Sequence, residues 1–318
     1  MQQRLKEQNT EQPSSTTEAN PLFAALDIGS NSFHMVVARR VGNDFQILES
    51  LKQQVQLAAG LDAKFLLDKA SIKRAISCLN EFRQYLAGVP EKNVRAVATH
   101  TLRVSQNTEQ FIAQAAEAFP APINVISGIE EARLIYKGVA HISDLPQQIL
   151  VVDIGGGSTE FIIGSDFAER RLRSQPIGCV NLTKTFMADG KLTNSRFLKM
   201  VDFAEKGIEK FRSEYLRTGW ELCVGSSGSI KTVSRILKAE GYHKRSITID
   251  HLLNIRQRIL EFEELADIEI EGLNPSRATI LPAAVAILIA AFKLLEIERM
   301  EYSRGALREG LLYDMIAQ

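Results

Sequence analysis

The 318-residue chain is 45% hydrophobic, enough to bury a large core and to suggest about two domains. Lys plus Arg and Asp plus Glu each number 38, so the formal charge is zero and gives no electrostatic case for a nucleic-acid or membrane partner. Three scattered cysteines without a CxxC pair, and five histidines without an HExxH pattern, argue against a disulfide framework or a zinc centre and fit a reducing, cytoplasmic compartment.

In chain order, residues 1–21 are polar and carry no hydrophobic export segment, so a disordered tail is predicted there. Strands are predicted at 22–28, 33–40 and 45–56, with Gly42-Asn43-Asp44 turning the second into the third. Apolar residues from Ala70 to Leu86 recur at helical spacing and predict a helix over 68–87. A strand at "VRAVATH", a helix at "NTEQFIAQAAEAF" with Asn107 as its N-cap, a strand at "INVIS" and a helix from "GIEEARLIYKGVAH" follow. The pattern then recurs. Strands are predicted at 148–154, 159–164 and 168–175, helices near 181–188 and 194–217, then a strand at "ELCVG" and a helix from "SSGSIKTVSRILKAEG". The remainder reads as mainly helical, and its 13-residue apolar run "ILPAAVAILIAAF", interrupted by Pro282, suits a buried helix rather than a membrane span. Two βββαβα-type halves around a cleft are the predicted arrangement, with the boundary near residue 130.

Two stretches carry the first chemical signal. "AALDIGSNSFHMVVA" and "LVVDIGGGSTEFIIG" share an apolar strand, Asp-Ile-Gly, a small polar turn and a following Ser, and Asp153 stands 126 positions after Asp27. Such turns aim several backbone amides at one anion, and Ser32 and Ser158 add hydroxyl donors. Asp27 and Asp153 would repel a bare phosphate, but they make sense with a divalent cation, typically Mg²⁺, between carboxylate and phosphate. An ordinary glycine-rich hairpin is the competing reading, and it weakens because the pattern occurs twice. "VGSSGSIKTV" puts small residues at a strand-to-helix junction, where free helix amides face an anion, although its spacing is not that of a P-loop. In "ISGIEEARLIY", Glu130 and Glu131 open a helix. Either complements the helix dipole or deprotonates a water, and the residue types do not choose between them.

Taken in order, "ALDIGSNSFHMVV", "AVATHTLRVSQN", "VISGIEEARLIYKGV", "VVDIGGGSTEF", "IGCVNLT", "GSSGSIKTV", "NPSRATILPAAVAIL" and "RGALREGLL" resemble the exopolyphosphatase/guanosine pentaphosphate phosphohydrolase family. That family lies within the superfamily of actin and the sugar kinases. The resemblance covers nearly all of residues 22–318. It implies an α/β fold of two actin-like (ribonuclease H-like) domains with an interdomain active-site cleft: domain I over 22–130, domain II over 131–301, and a C-terminal segment 302–318 returning to domain I.

The resemblance also implies a site. Glu131 matches the catalytic glutamate that activates water. Asp27, Gly29, Ser30, Asn31 and Ser32 match the first phosphate motif, and Asp153, Gly155, Gly156, Gly157, Ser158 and Glu160 the second. Thr99 and Arg103 match a Thr-x-x-x-Arg segment lining the cleft, with the guanidinium expected on phosphate. Gly225, Gly228 and Ser229 match the third motif. Asp27, Asp153 and Glu160 are the implied ligands of Mg²⁺ or another divalent cation. The implied substrate is inorganic polyphosphate, with guanosine pentaphosphate as the alternative and a superfamily kinase or a non-catalytic sensor as remoter readings. A homodimer is left open. "LAAGL" at 57–61 and Asn181 depart from the family pattern. The chain also ends at Gln318 without the helical C-terminal region of longer members, so a basic track for long polyphosphate is expected only from Arg170, Arg171, Arg173, Lys238, Lys244 and Arg245. Short chains and one-at-a-time release are the corresponding expectation.

Overall fold

The computed structural model describes residues 20–142, 148–242 and 246–317; the predicted tail before residue 20, and Lys244 and Arg245, lie outside them. The first half runs β1 (Leu22–Ile28), β2 (Phe33–Val41), β3 (Asp44–Gln53), α1 (Lys69–Arg83), β4 (Val94–Ala98), α2 (His100–Val104), α3 (Thr108–Ala118) and β5 (Ile123–Val125). The crossing helix α4 (Gly128–Ile142) leads to β6 (Ile149–Ile154), β7 (Thr159–Ser165), β8 (Ala168–Gln175), α5 (Cys179–Phe186), α6 (Asn194–Thr218), β9 (Leu222–Ser226) and α7 (Ser227–Ala239). Then come β10 (Ser246–Ile247), α8 (Ile249–Ile259), α9 (Leu281–Leu294), β11 (Met300–Tyr302) and α10 (Leu307–Ile316). The remainder is therefore not all helical: β10 and β11, two and three residues long, are too short to carry an alternating signature.

The strand orders are β3-β2-β1-β4-β5 and β10-β11-β9-β6-β7-β8. Apart from the added β10, each sheet is an antiparallel three-strand meander continued by parallel strands. The internal repeat extends to register. Asp27 pairs with His34 where Asp153 pairs with Glu160, and the bulge that β3 makes opposite Val37/Ala38, at Leu48, recurs in β8 opposite Ile163/Gly164, at Arg170. His34 is thus the first half's counterpart of Glu160.

Two helices join the sheets. The C-terminal helix α10 lies on β1 and β2, α4 lies on β7 and β8, and the two pack on each other. The resulting core interleaves Phe23, Ala25 and Val36 of the first sheet, Ile135 and Leu311 of the helices, and Val151 and Ile162 of the second sheet. Glycines set the helix crossing: a Cβ on Gly310 would fall 1.8 Å from Leu134 O, and one on Gly138 2.1 Å from Ala306 O. The apolar helical stretch Pro275–Leu294 is 20 residues long and mostly buried within the second half's core. Asn107 precedes α3 but does not cap it. Its amide is already occupied, accepting from Leu67 N at 2.9 Å and donating to Leu67 O at 3.0 Å. All three cysteines are free and buried.

Candidate active site

The two Asp-Ile-Gly turns meet across a cleft of about 350 Å³ between the sheets. They are wired alike. The carbonyls of Ser30 and Asn31 accept from Ala58 N and Gln56 N, and those of Gly155 and Gly156 accept from the amides that open α5. With the carbonyls tied back, the Ser30, Asn31, Gly156 and Gly157 amides bond to nothing among the described residues and border the cleft. That arrangement is an anion cradle on each side.

The glycines are required by space. A Cβ on Gly29 would sit 2.8 Å from Ser32 O, and one on Gly155 3.0 Å from Ser158 O, the same contact in both copies. On Gly156 it would meet Ser30 Cβ of the opposite turn at 2.9 Å, and on Gly157 the His100 ring at 2.2 Å. Gly156 and Gly157 therefore admit the opposing half.

Buried Glu131 and Asp153 and the half-buried Asp27 form the floor, with a fourth acid, Glu160, buried beneath them. Glu131, 8% exposed, projects from the first turn of α4 and accepts from Arg103 Nη1 at 3.1 Å. Its neighbour Glu130 points away and pairs with Arg133 at 2.7 Å, so the helix offers one of its two acids to the cleft. Burial, with Asp27 and Asp153 nearby, lifts the Glu131 carboxyl to about 8 despite Arg103. Burial likewise raises Asp27 to about 7, against the pull of Arg308, and Asp153 to about 6, against a hydrogen bond from Ser226. Glu160, 1% exposed, lies behind them and accepts from Ser174 Oγ at 2.7 Å; burial and the charges of Glu131 and Asp153 push it well above the carboxylate range.

Several expected residues sit elsewhere than their motifs implied. Thr99, Gly228 and Ser229 border the cleft, whereas Gly225 does not: the Ile230 and Met300 side chains fill the space beside it. Arg103 is held by Glu131 and by Ile126 O at 2.9 Å, so its guanidinium fixes an acid rather than facing the cleft. Among the described residues no three Asp, Glu, His or Cys side chains converge as a ready metal cluster, and Asp27, Asp153 and Glu160 are not a preformed three-carboxylate site. The donor chemistry nonetheless fits a hard cation. Asp27 and Asp153 offer oxygens to the cleft, neither makes an ion pair among the described residues, and a magnesium-type ion needs only one or two carboxylates beside water and phosphate oxygens.

The cleft also holds cations that no motif marks. Lys52, Lys231, Arg277, Arg304 and Arg308 all border the cleft. Arg277 donates to Ser229 Oγ at 3.1 Å, and Arg308 leans on His34 while its buried Nε has no partner among the described residues. Arg277, Arg304 and Arg308 lie within "NPSRATILPAAVAIL" and "RGALREGLL", segments without glycine turns or paired acids to advertise them.

The sequence profile of the Ppx/GppA phosphatase family matches residues 36–318. A Haemophilus influenzae protein provisionally named an exopolyphosphatase is 42% identical over 293 residues, covering 92% of this chain and 91% of that one. A guanosine-5′-triphosphate,3′-diphosphate pyrophosphatase of Photobacterium profundum is 41% identical over 299 residues, and there the chain spans 94% of itself but 60% of the relative. Among solved structures, the Aquifex aeolicus Ppx/GppA family member superposes with a TM-score of 0.77 at 25% identity, over 93% of this chain and 98% of that one. An exopolyphosphatase from Cytophaga hutchinsonii shares the fold, with a TM-score of 0.84 at 23% identity over 93% and 98%.

Proposed function

The chain belongs to the Ppx/GppA phosphatase family, an enzyme of phosphoanhydride hydrolysis by that membership, and from this premise we propose that it removes the terminal phosphate of inorganic polyphosphate in the cytoplasm. The observation that carries the reading is the pair of matching anion cradles with one Arg-held acid, Glu131, at the floor between them. Opposed cradles suit a chain of phosphates, because one holds the phosphoryl group being transferred and the other the phosphate that leaves.

Glu131 accepts the proton of the attacking water. Burial makes it a stronger base than an ordinary carboxylate, and Arg103 keeps the carboxylate aimed. The turn amides, with Arg308 and Arg277, stabilise charge on the transferred group and the leaving oxygen, the main demand of phosphoryl transfer. A divalent cation, Mg²⁺ or a similar ion, on Asp27 and Asp153 would neutralise charge between those acids and the substrate.

Guanosine pentaphosphate is the second reading, favoured by the named pyrophosphatases at 41% identity. Phosphate release with Mg²⁺, measured on polyphosphates of several lengths, guanosine pentaphosphate and ATP, tests both. Release from polyphosphate supports the first reading, and release from guanosine pentaphosphate alone supports the second. Acceptor-dependent transfer from ATP, or no turnover at all, sinks both.

A further inference from the structure

The cleft does not end at the glycine turns. A second cavity shares Asn31, Lys52, Gly228, Lys231 and Arg277 with it, and a third shares Arg235 and Asn274 with the second. The three form one path leading outward over α7. Lys231, Arg235 and Lys238 stand on that helix at spacings of four and three residues, which puts them on one face, about 10 Å from first to last. No carboxylate borders either outer cavity, and no ion pair is made by these three residues among the described residues. By contrast, Arg171 and Arg173 of β8, two of the expected track residues, are both occupied by Glu214 at 2.9 and 2.7 Å.

We infer that the exposed face of α7, with Lys52 and Arg277 at its inner end, is the binding track for the distal phosphates of a linear polyphosphate whose terminus is in the cleft. A row of cations with no anions among them is costly to assemble in a protein with equal numbers of each charge, unless a polyanion is to lie along it. The crowding is visible at the inner end. Partial desolvation and the charges of Arg277, Arg308, Lys231 and Arg235 press the Lys52 ammonium down to about 8, and Arg235, Arg308 and Arg304 act on Lys231 in the same sense. The path is open at Lys238, so its length does not cap the chain it accepts. The inference rests on the proposed hydrolysis only for the polarity of the chain, terminus inward. It revises the expectation of short substrates only.

The test is equilibrium binding of end-labelled long polyphosphate and of tripolyphosphate in a Glu131→Gln background with Mg²⁺, so that substrate survives. Arg235→Gln/Lys238→Gln should weaken long-chain binding about tenfold at low salt, while tripolyphosphate changes far less. The slope of log affinity against log salt for the long chain should fall by roughly one to two units, the signature of two lost phosphate contacts. Arg171→Gln/Arg173→Gln, on the strand occupied by Glu214, should leave both ligands unaffected. Equal losses on long and short chains, or no loss on either, would overturn the track. Binding needs no turnover, so a failed hydrolysis assay and a failed track give different results.

Discussion

Glu131 and Glu130 are adjacent and identical in type, yet their neighbours assign them different work. Glu130 reaches Arg133 on the outside of α4, whereas Glu131 turns into the cleft against Arg103. Glu131→Gln should therefore lower turnover by about two to four orders of magnitude while substrate binding is kept, and Glu130→Gln should leave turnover within about twofold. Steady-state phosphate release decides this, and a slow Glu130→Gln enzyme with an active Glu131→Gln one would reverse the assignment. The floor acids also make a prediction for stability. Their folded pKa values are raised, Asp27 to about 7 and Glu131 to about 8, so between pH 6.5 and 8 the folded protein holds protons that the unfolded chain has released. Stability then falls as pH rises through that window. His34 and His100 are depressed in the fold but ordinary in the unfolded chain, so they oppose this trend at the acid end of the window, where the unfolded imidazoles are still partly charged, and Lys52, lowered to about 8, acts with the opposite sign only at its alkaline end. In chelator, the melting temperature should drop from pH 6.5 to 8, and Asp27→Asn should flatten the slope. A rising profile would contradict a floor whose acids hold their protons through burial.

At the scale of elements, the contact between α4 and α10 decides whether the two halves share a core. Gly138 and Gly310 bring the helix backbones together, and the obstacles to a Cβ are main-chain carbonyls that cannot rotate away. Gly310→Ala should destabilise by about 3 kcal/mol, the upper part of the range for overpacking, since one helix must shift bodily. Chemical denaturation measures it, and a change under about 0.5 kcal/mol would mean that the crossing is looser than drawn. The same helix pair is pinned by Asp314, whose carboxylate meets Arg95, Arg133 and Lys137 at 2.8 to 3.0 Å. Burial works against that charge, but the Lys137 and Arg133 hydrogen bonds outweigh it and hold the acid below its usual range.

For the molecule as a whole, the question is what keeps the cleft closed. Lys184 on α5 donates to the carbonyls of Ala58, Ala59 and Leu61, so "LAAGL" is the segment of the first half grasped by the second. Gln54 adds a bond to Ser276 O across the same opening. Lys184→Met should open the unliganded protein, seen as a larger radius of gyration in small-angle scattering with an unchanged circular dichroism spectrum. An unchanged radius would show that the turns alone hold the halves together. The repeat of Asp-Ile-Gly, the strand meanders and the two opposed turns were all legible in the chain, because period-two apolar runs and tight turns are local patterns fixed by neighbouring residues. The same locality made Ser32 and Ser158 visible as partners 126 positions apart. What no local pattern specifies is which side chains from distant segments share a space. The family motifs place Arg103 and Gly225 at the phosphates, but Arg103 meets Glu131, 28 residues away, and the space beside Gly225 is filled by Met300 from another strand. Lys52, Lys231, Arg277 and Arg308 converge from four separate segments, and only the closing of two sheets about α4 and α10 turns an electrically neutral chain into a cationic cleft over an acidic floor.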